Sequence, residues 1–158
     1  MTIQNQIERA RKAFEQISDY TQEQVDKLVY EGAKIIYENA KPLAKMAVEE
    51  TRLGDYESKI GKNEGTAAAF WDYLKDKKSV GIINEDPSIG LIEAAHPIGV
   101  IGCITPATNP TVTPLGNFMH AVKCKNAVII SPAPRAEKTS TETVNLIRKA
   151  LAANGAPE

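Results

Sequence analysis

Hydrophobic residues recur at spacings of three and four through the first part of the chain, which is the periodicity of an amphipathic helix. The apolar face of the first predicted helix consists of Ile3, Ile7, Ala10, Phe14 and Ile17. Thr21 and Gln24 then have the spacing of a capping box, in which each side chain bonds the other residue's backbone N–H. This spacing predicts that a second helix begins there and continues through Ile36.

Two further helices are predicted before the periodicity changes. Pro42 fits the first turn of a third helix, which would run to about Leu53 with Gly54 as its stop. A fourth helix is predicted over about 64–77. Residues 1–78 are therefore expected to form an N-terminal helical segment.

From Ser79 onward the pattern favours short strands. Residues 80–84 and 89–94 are short apolar runs, and the turn sequence Asp86-Pro87-Ser88 separates them. The pair predicts a hairpin, or a comparable β excursion, over residues 79–97.

Two charge-free runs of strand length follow, at 98–104 and 126–130. Such runs are typical of strands in a parallel sheet, and both are expected to be buried on both faces. Between them, the segment from Thr111 to Lys123 predicts a helix with Pro114 near its beginning.

A last helical pattern is predicted to be capped by Thr139 or Ser140 and to end at residues 154–157. The order strand, helix, strand, helix is that of a right-handed βαβ unit. The predicted fold class is therefore α/β, with N-terminal amphipathic helices, a β excursion and a βαβα portion of a parallel sheet over residues 98–158.

Composition and charge narrow the range of functions. The chain has 158 residues, of which 42% are hydrophobic and 25% charged, and its net charge is −1. This composition is that of a globular protein without the basic surface that nucleic acid binding requires. No apolar run approaches the roughly 18 residues of a membrane span. Neither nucleic acids nor membranes are expected partners.

Cysteine and histidine positions suggest no metal centre. Cys103 and Cys124 are the only cysteines, and they lack the spacing of metal ligands or of a disulfide framework. With no export signal at the start, a reducing cytoplasm is the expected location. Cys103 is expected to be inert in mid-strand, whereas the lysines beside Cys124 would favour a thiolate, although away from the ligand-binding loops. His96 and His120 are interpreted as structural.

Ligands of open parallel sheets bind beyond the carboxyl ends of the strands, where two loops are predicted here. The first, 105–111, is uncharged, and its backbone N–H groups with the Asn109 amide offer donors to a carbonyl oxygen or a phosphate. The same residues also fit a rigid turn in which Asn109 caps the following helix. In the second loop, 131–136, Arg135 can pair with a phosphate or remain a solvated surface residue.

These loops resemble those of a known family. The run HPIGVIGCITPATNP at 96–110, followed by NAVIISPAPRA at 126–136 and NGAP at 154–157, is similar to the cofactor domain of the aldehyde dehydrogenase superfamily. Within that superfamily, the sequence most resembles the CoA-acylating branch, which includes the acetaldehyde dehydrogenase module of bifunctional aldehyde/alcohol dehydrogenases. It extends over essentially the whole chain, and it implies an incomplete Rossmann-like sheet of the aldehyde dehydrogenase type.

The resemblance implies roles by position. Asn109 would be the catalytic amide that helps form the oxyanion hole. The residues expected to bind the dinucleotide, NAD or NADP, are Thr105, Pro106, Ala107 and Thr108 in the first loop and Ser131, Pro132, Ala133 and Arg135 in the second. Many non-acylating members grip the adenosine ribose with a Lys and a Glu in this second loop. Ser131 and Pro134 stand here instead, which favours the acylating branch and leaves the ribose contact open.

By this resemblance, the parent enzyme would oxidise an aldehyde to an acyl-CoA with NAD or NADP and coenzyme A, through a cysteine thiohemiacetal and thioester. In the family, that cysteine and the oligomerisation segments come after the position of Pro157. The chain is therefore expected to be an N-terminal portion, inactive alone, of a homo-oligomeric enzyme. Acetaldehyde, succinic semialdehyde, sulfoacetaldehyde and longer aldehydes remain open as substrates.

A different class of function also fits the sequence. The chain can be a non-catalytic nucleotide-binding or assembly module, in which the helix of residues 3–17 docks on a partner instead of packing on its own domain. The isolated chain is expected to self-associate, because a two-strand remnant of a sheet leaves apolar faces uncovered. The alternative expectation is weak dinucleotide binding, because the turn that binds the pyrophosphate in the family is missing and only the loops of Asn109 and Arg135 remain.

Overall fold

Four helices precede the first strand, and helices and strands alternate after the hairpin. The computed structural model describes residues 2–157. The helices are α1 (Ile3–Ile17), α2 (Gln22–Glu38), α3 (Ala40–Thr51), α4 (Tyr56–Leu74), α5 (Val112–Lys123) and α6 (Glu137–Ala153). The strands are β1 (Gly81–Asp86), β2 (Leu91–Ala95), β3 (Val100–Thr105) and β4 (Ala127–Pro132), and a 3₁₀ turn at Pro134–Ala136 follows β4. The predicted α/β class is confirmed.

The capping box at the start of α2 is confirmed. The Thr21 hydroxyl accepts a hydrogen bond from the Gln24 backbone N–H at 3.3 Å, and the Gln24 side-chain oxygen accepts one from the Thr21 N–H at 2.8 Å. Helix α1 also has the predicted bounds, and it buries Ala10 and Ile17. Because α1 contacts β3 and β4, it packs on its own chain.

Helix α3 ends slightly before its predicted stop. Arg52 follows the last helical residue in the left-handed conformation, with φ of 57°, so the helix ends before Gly54 is reached. Gly54 is left-handed as well, with φ of 74°. The Thr51 hydroxyl stabilises this turn by accepting a hydrogen bond from the Leu53 N–H at 3.2 Å.

Helix α4 begins at Tyr56 and not near Glu64, so the predicted start is wrong. The Asp55 carboxylate caps the helix by accepting a hydrogen bond from the Ser58 N–H at 2.9 Å. Glycine is a weak helix former, and the two glycines at positions 61 and 65 obscure the helical pattern in the sequence. The early start adds two turns to the helix, and these turns reach the loop after β3.

Helix α6 begins at Glu137, and neither Thr139 nor Ser140 is its cap. Both of these residues are buried inside the first turn. The cap comes from α3, because the Glu50 carboxylate accepts hydrogen bonds from the Lys138 and Thr139 N–H groups at 2.8 Å and from the Thr139 hydroxyl at 2.6 Å. A carboxylate at a helix N-terminus also interacts favourably with the helix dipole. This contact joins α3 to α6.

The predicted hairpin and the predicted parallel pair are both present. Strands β1 and β2 are antiparallel. Strands β3 and β4 are parallel, with Thr105 opposite Pro132 at their carboxyl ends. At the other end, the buried Asn126 side-chain oxygen accepts hydrogen bonds from the N–H groups of Ile98 at 2.6 Å and Gly99 at 2.8 Å. Asn126 therefore fixes where β3 begins relative to β4.

One face of β3 is open and residues 128–130 of β4 are only partly buried, which corrects the expectation that both strands are buried on both faces. Ile104 is 89% exposed, and Ile98, just before the strand, is 86% exposed. Within residues 2–157, β3 has β4 as its one neighbouring strand. Burial on both faces requires helices on both sides of a wider sheet. The two-stranded sheet leaves the side of β3 with Gly102 and Ile104 uncovered.

The main core lies where α5 packs against α2 and α4. A Cβ atom added at Gly32 in α2 would lie 2.2 Å from the Phe118 ring, and one added at Gly116 in α5 would lie 2.7 Å from the Phe70 ring. Glycine at these two positions lets an aromatic ring of the facing helix occupy the space of a side chain. The helices therefore approach each other closely.

The contact between Glu50 and α6 should depend on pH. Burial raises the pKa of Glu50, but the hydrogen bonds from Thr139 and Lys138 outweigh it and hold the pKa below the ordinary value of 4.5. A carboxyl with a lowered pKa stabilises the fold above its unfolded-state pKa and loses that contribution as the pH falls through the folded-state value. We expect Glu50→Gln to lower the free energy of unfolding by about 1 kcal/mol at neutral pH, as loss of a helix cap does.

Urea unfolding followed by circular dichroism, repeated from neutral to acid pH, measures this difference. The matched control is Glu49→Gln, because Glu49 is exposed and pairs only with Lys45 at 3.9 Å. The deficit of Glu50→Gln should shrink as acid protonates Glu50 in the wild type. An equal loss in both variants, or a deficit that persists unchanged in acid, would contradict the cap.

Candidate functional site

The two loops beyond β3 and β4 lie side by side. The Ala133 N–H, just after β4, donates to the Thr105 carbonyl at the end of β3 at 3.0 Å. This bond continues the parallel pairing beyond the last strand residues, so the predicted site residues of both loops meet at one edge of the sheet. This is the edge at which ligands of open parallel sheets bind.

Helix α4 holds the first loop through two lysines. The Lys59 ammonium donates to the Thr108 carbonyl at 2.6 Å, and the Lys62 ammonium donates to the Asn109 side-chain oxygen at 3.0 Å. The two lysines are three residues apart and therefore lie on the same face of the helix. Two consecutive loop residues, Thr108 and Asn109, are thus held by two lysines on one face of α4.

Asn63 attaches the next part of the loop to the core. It is buried, and its side-chain oxygen accepts a hydrogen bond from the Thr111 hydroxyl at 2.5 Å while its amide nitrogen donates to the Ala40 carbonyl at 3.1 Å. All three residues are 2% exposed or less. Since buried polar groups require partners, this pairing fixes the distance between α3, α4 and the start of α5.

Asn109 is not a helix cap. Thr111 occupies the N-cap position of α5 without a side-chain capping bond. The Asn109 side-chain oxygen accepts a hydrogen bond from the Lys62 ammonium and not from a backbone N–H. The Asn109 amide nitrogen makes no hydrogen bond to any residue that the structure describes. The interpretation of Asn109 as a helix cap is therefore wrong, and its role as a donor to a ligand stays a prediction.

The site carries an unusual cation. Lys59 is only 7% exposed, and within residues 2–157 no carboxylate pairs with it. Burial, and secondarily the charge of Lys62, lower the pKa of Lys59. In the described part of the chain, the Lys59 ammonium is held by the Thr108 carbonyl and not by a carboxylate.

In the second loop, Arg135 is directed to its own chain. Its guanidinium donates to the Thr51 carbonyl at the end of α3 at 3.2 Å, although the residue remains exposed overall. A cation at a helix C-terminus is favourable for the helix dipole. Ser131 is exposed, whereas the Thr105 hydroxyl is buried without a hydrogen-bond partner in the described part of the chain. Neither loop contains an acidic residue between 105 and 111 or between 131 and 136.

The cysteines and histidines lie outside this arrangement. Burial raises the pKa of Cys103, as expected, and it also raises the pKa of Cys124, where the nearby Lys123 charge compensates only partly. Lys123 does favour a Cys124 thiolate, as its position in the sequence suggests, but burial has the larger effect on the pKa of this thiol. His120 is exposed and its ring contacts Phe70. Within residues 2–157 no three His, Cys, Asp or Glu side chains cluster as metal ligands, and no helix is long and apolar enough to cross a membrane.

Lys59, Lys62 and Asn63 are site residues that the sequence analysis does not identify. The predicted start of α4 near Glu64 leaves all three outside the helix, so the sequence pattern does not predict that they lie on the helix together. The Asp55 cap with Ser58 three residues later is the sequence feature that could have placed them on it.

The sequence pattern of the Aldehyde dehydrogenase family matches residues 1–158. The chain belongs to the aldehyde dehydrogenase family. Its acylating relatives include the succinate-semialdehyde dehydrogenase (acetylating) of Clostridium kluyveri, which is 46% identical over 100% of this chain and 35% of its own length. The bifunctional aldehyde-alcohol dehydrogenase AdhE of Escherichia coli is 39% identical over 96% of this chain and 17% of its own length.

Solved structures of acylating aldehyde dehydrogenases have the same fold. The acetylating aldehyde dehydrogenase of Geobacillus thermoglucosidasius has a TM-score of 0.95 and 39% identity, covering 98% of this chain and 34% of that chain. The propionaldehyde dehydrogenase of Rhodopseudomonas palustris, solved with bound CoA and an acylated cysteine, has a TM-score of 0.82 and 33% identity, covering 99% and 36%. The chain thus spans about a third of most of these proteins.

The buried Asn63 contact is expected to maintain the first loop. Asn63→Ala leaves the Thr111 hydroxyl and the Ala40 carbonyl short of a buried partner, so we expect the free energy of unfolding to fall by about 1–3 kcal/mol. Amide hydrogen exchange at residues 108–111 should become faster. Asn5→Ala, an exposed asparagine of α1, is the control. Unchanged stability and unchanged exchange in Asn63→Ala would show that another contact holds the loop.

Proposed function

We propose that this chain forms the oxyanion-binding and dinucleotide-binding side of an enzyme that converts an aldehyde to an acyl-CoA. The observation that carries the proposal is the Asn109 amide, held through its oxygen by Lys62 with its nitrogen donors free at the carboxyl edge of β3. Its relatives named as acylating dehydrogenases support the same reaction class.

In the proposed reaction, a cysteine thiolate of the enzyme adds to the aldehyde carbon, and the carbonyl electron pair moves to oxygen. The Asn109 nitrogen donates a hydrogen bond to that developing oxyanion, where a fixed donor stabilises charge best. A nicotinamide cofactor held by these loops would supply the hydride acceptor for the oxidation of the cysteine adduct to the thioester. The same Asn109 donor serves a second oxyanion when the CoA thiolate adds to the thioester and releases the cysteine.

The two loops fit a dinucleotide. Residues 105–108 and 131–135 lie side by side, contain no acidic residue that would repel phosphate, and include the exposed Ser131. Thr105, Pro106, Ala107 and Thr108 would line one side of NAD or NADP, and Ser131, Pro132, Ala133 and Arg135 the other. Arg135 would have to exchange or share its bond to Thr51 to reach a phosphate.

The nucleophile is assigned to a part of the enzyme other than this chain. Cys103 lies within β3 and Cys124 follows α5 at the opposite edge of the sheet from Asn109. The pKa of both thiols is raised, which disfavours the thiolate. Both thiols are free, which supports a reducing cytoplasmic setting.

We also propose that the chain self-associates. The hairpin and β3 expose several large apolar residues: Ile82 (52%), Ile89 (71%), Ile92 (64%), Ile98 (86%) and Ile104 (89%). Large apolar residues exposed in this way are typical of an interaction surface.

Asn109→Ala tests the proposed function in a chimera in which residues 1–158 replace the matching third of the Geobacillus thermoglucosidasius enzyme. We expect kcat for CoA-dependent aldehyde oxidation to fall by about 10²-fold or more, as removal of an oxyanion donor does. NADH formation measures the rate. Asn5→Ala should retain full activity, and an unchanged kcat in Asn109→Ala would remove the assigned role.

Sedimentation of the 158-residue chain tests self-association. Ile104→Lys places a charge on the open face of β3 and should shift the distribution toward monomer, because a buried charge at an interface is costly. Ile3→Lys, at an exposed position of α1 (66% exposed), should leave it unchanged. A wild-type chain that sediments as a monomer would refute the proposal.

A further inference from the structure

Among the residues that the structure describes, the Asn109 side chain has one hydrogen-bond partner, and that partner is the Lys62 ammonium. Lys62 reaches the Asn109 oxygen at 3.0 Å from α4, forty-seven residues earlier in the sequence. In the described part of the chain, Lys62 forms no ion pair with a carboxylate. Lys62 is exposed, so water can solvate its charge; the informative observation is that its ammonium is directed at the amide that the proposed chemistry uses.

A lysine ammonium only donates hydrogen bonds, whereas a primary amide has an accepting oxygen and a donating nitrogen. The Lys62 bond therefore determines which end of the Asn109 amide faces α4. The reversed amide would place N–H groups against an ammonium, which is electrostatically unfavourable. With the oxygen bonded to Lys62, both N–H donors of Asn109 point away from the helix.

The charge acts on the donor as well as on its orientation. A charge-assisted bond to the amide oxygen withdraws electron density from the amide and strengthens the N–H groups as donors. The second cation, Lys59, holds the carbonyl of the preceding residue, Thr108, at 2.6 Å. Side chain and backbone of this short segment are thus both fixed by one face of α4.

We propose that Lys62 is a positioning residue for the oxyanion hole: it fixes the orientation of the Asn109 amide and polarises it, while Lys59 fixes the backbone of the residue before it. This inference rests on the proposed function of Asn109. It assigns part of the catalytic apparatus to the N-terminal helical segment, which contributes more than packing to the site.

The first test uses the 158-residue chain and needs no activity. In isotope-labelled protein, the Asn109 side-chain amide resonances are identified by their loss in Asn109→Ala. Lys62→Met should shift these resonances and narrow the difference between the two amide protons, because the bond that fixes the amide is gone. Lys45→Met, which removes an exposed lysine of α3, should leave them in place. Unchanged resonances in Lys62→Met overturn the proposal.

The second test measures catalysis in the chimera. We expect Lys62→Met to lower kcat by about tenfold or more, less than the roughly 10²–10³-fold loss on removal of a donor, with KM for aldehyde and CoA little changed. Lys62→Arg should recover much of the loss, because a guanidinium also donates only. In an Asn109→Ala background, Lys62→Met should cost almost nothing further, because its effect passes through the missing amide.

The outcomes separate this inference from the proposed function. If Asn109→Ala lowers kcat but Lys62→Met does not, the positioning role is wrong and the proposed function stands. If the losses multiply in the double variant, Lys62 acts independently of Asn109 and the inference is also overturned. An unchanged kcat in Asn109→Ala refutes both. Circular dichroism melting of each variant shows whether a lost rate reflects unfolding, and Lys62→Leu provides a second variant without a hydrogen-bond donor if Lys62→Met does not fold.

Discussion

The contact between α4 and the loop after β3 determines the geometry of the candidate site. Asn63 bonds the Thr111 hydroxyl and the Ala40 carbonyl inside the core, and the preceding residue, Lys62, bonds the Asn109 side-chain oxygen. Because a buried polar group without a partner is costly, the helix, the loop and the start of α5 cannot move independently. A rigid support of this kind is what an oxyanion donor requires, since its value depends on fixed placement.

The helical segment and the parallel strands are linked a second time through α3. Glu50 caps α6, and the Thr51 carbonyl next to it accepts from Arg135 in the loop after β4. Each of the two loops at the carboxyl edge is therefore held by an N-terminal helix, the first by α4 and the second by α3. The N-terminal helices position both halves of the site.

The strands expose apolar residues that no part of the described chain covers. Strands β3 and β4 are only two in number, and Ile104 faces solvent beside Gly102. The hairpin residues Ile89 and Ile92 are exposed to solvent as well. The runs whose sequence predicts fully buried strands are only partly buried in the structure. Their exposed apolar surface is typical of a site of contact with further protein.

The sequence alone determined the α/β order, the capping box at Thr21, the hairpin and the two loops, because these follow from local periodicity, turn residues and recognisable loop motifs. It did not place the start of α4 or the cap of α6. Glycines 61 and 65 weaken the helical pattern, and the cap at α6 comes from Glu50, far away in the sequence. The sequence also did not predict that Lys62 is the partner of Asn109, because this contact forms only when α4 packs against the loop. Local chemistry fixed the elements, and tertiary packing decided which side chains meet.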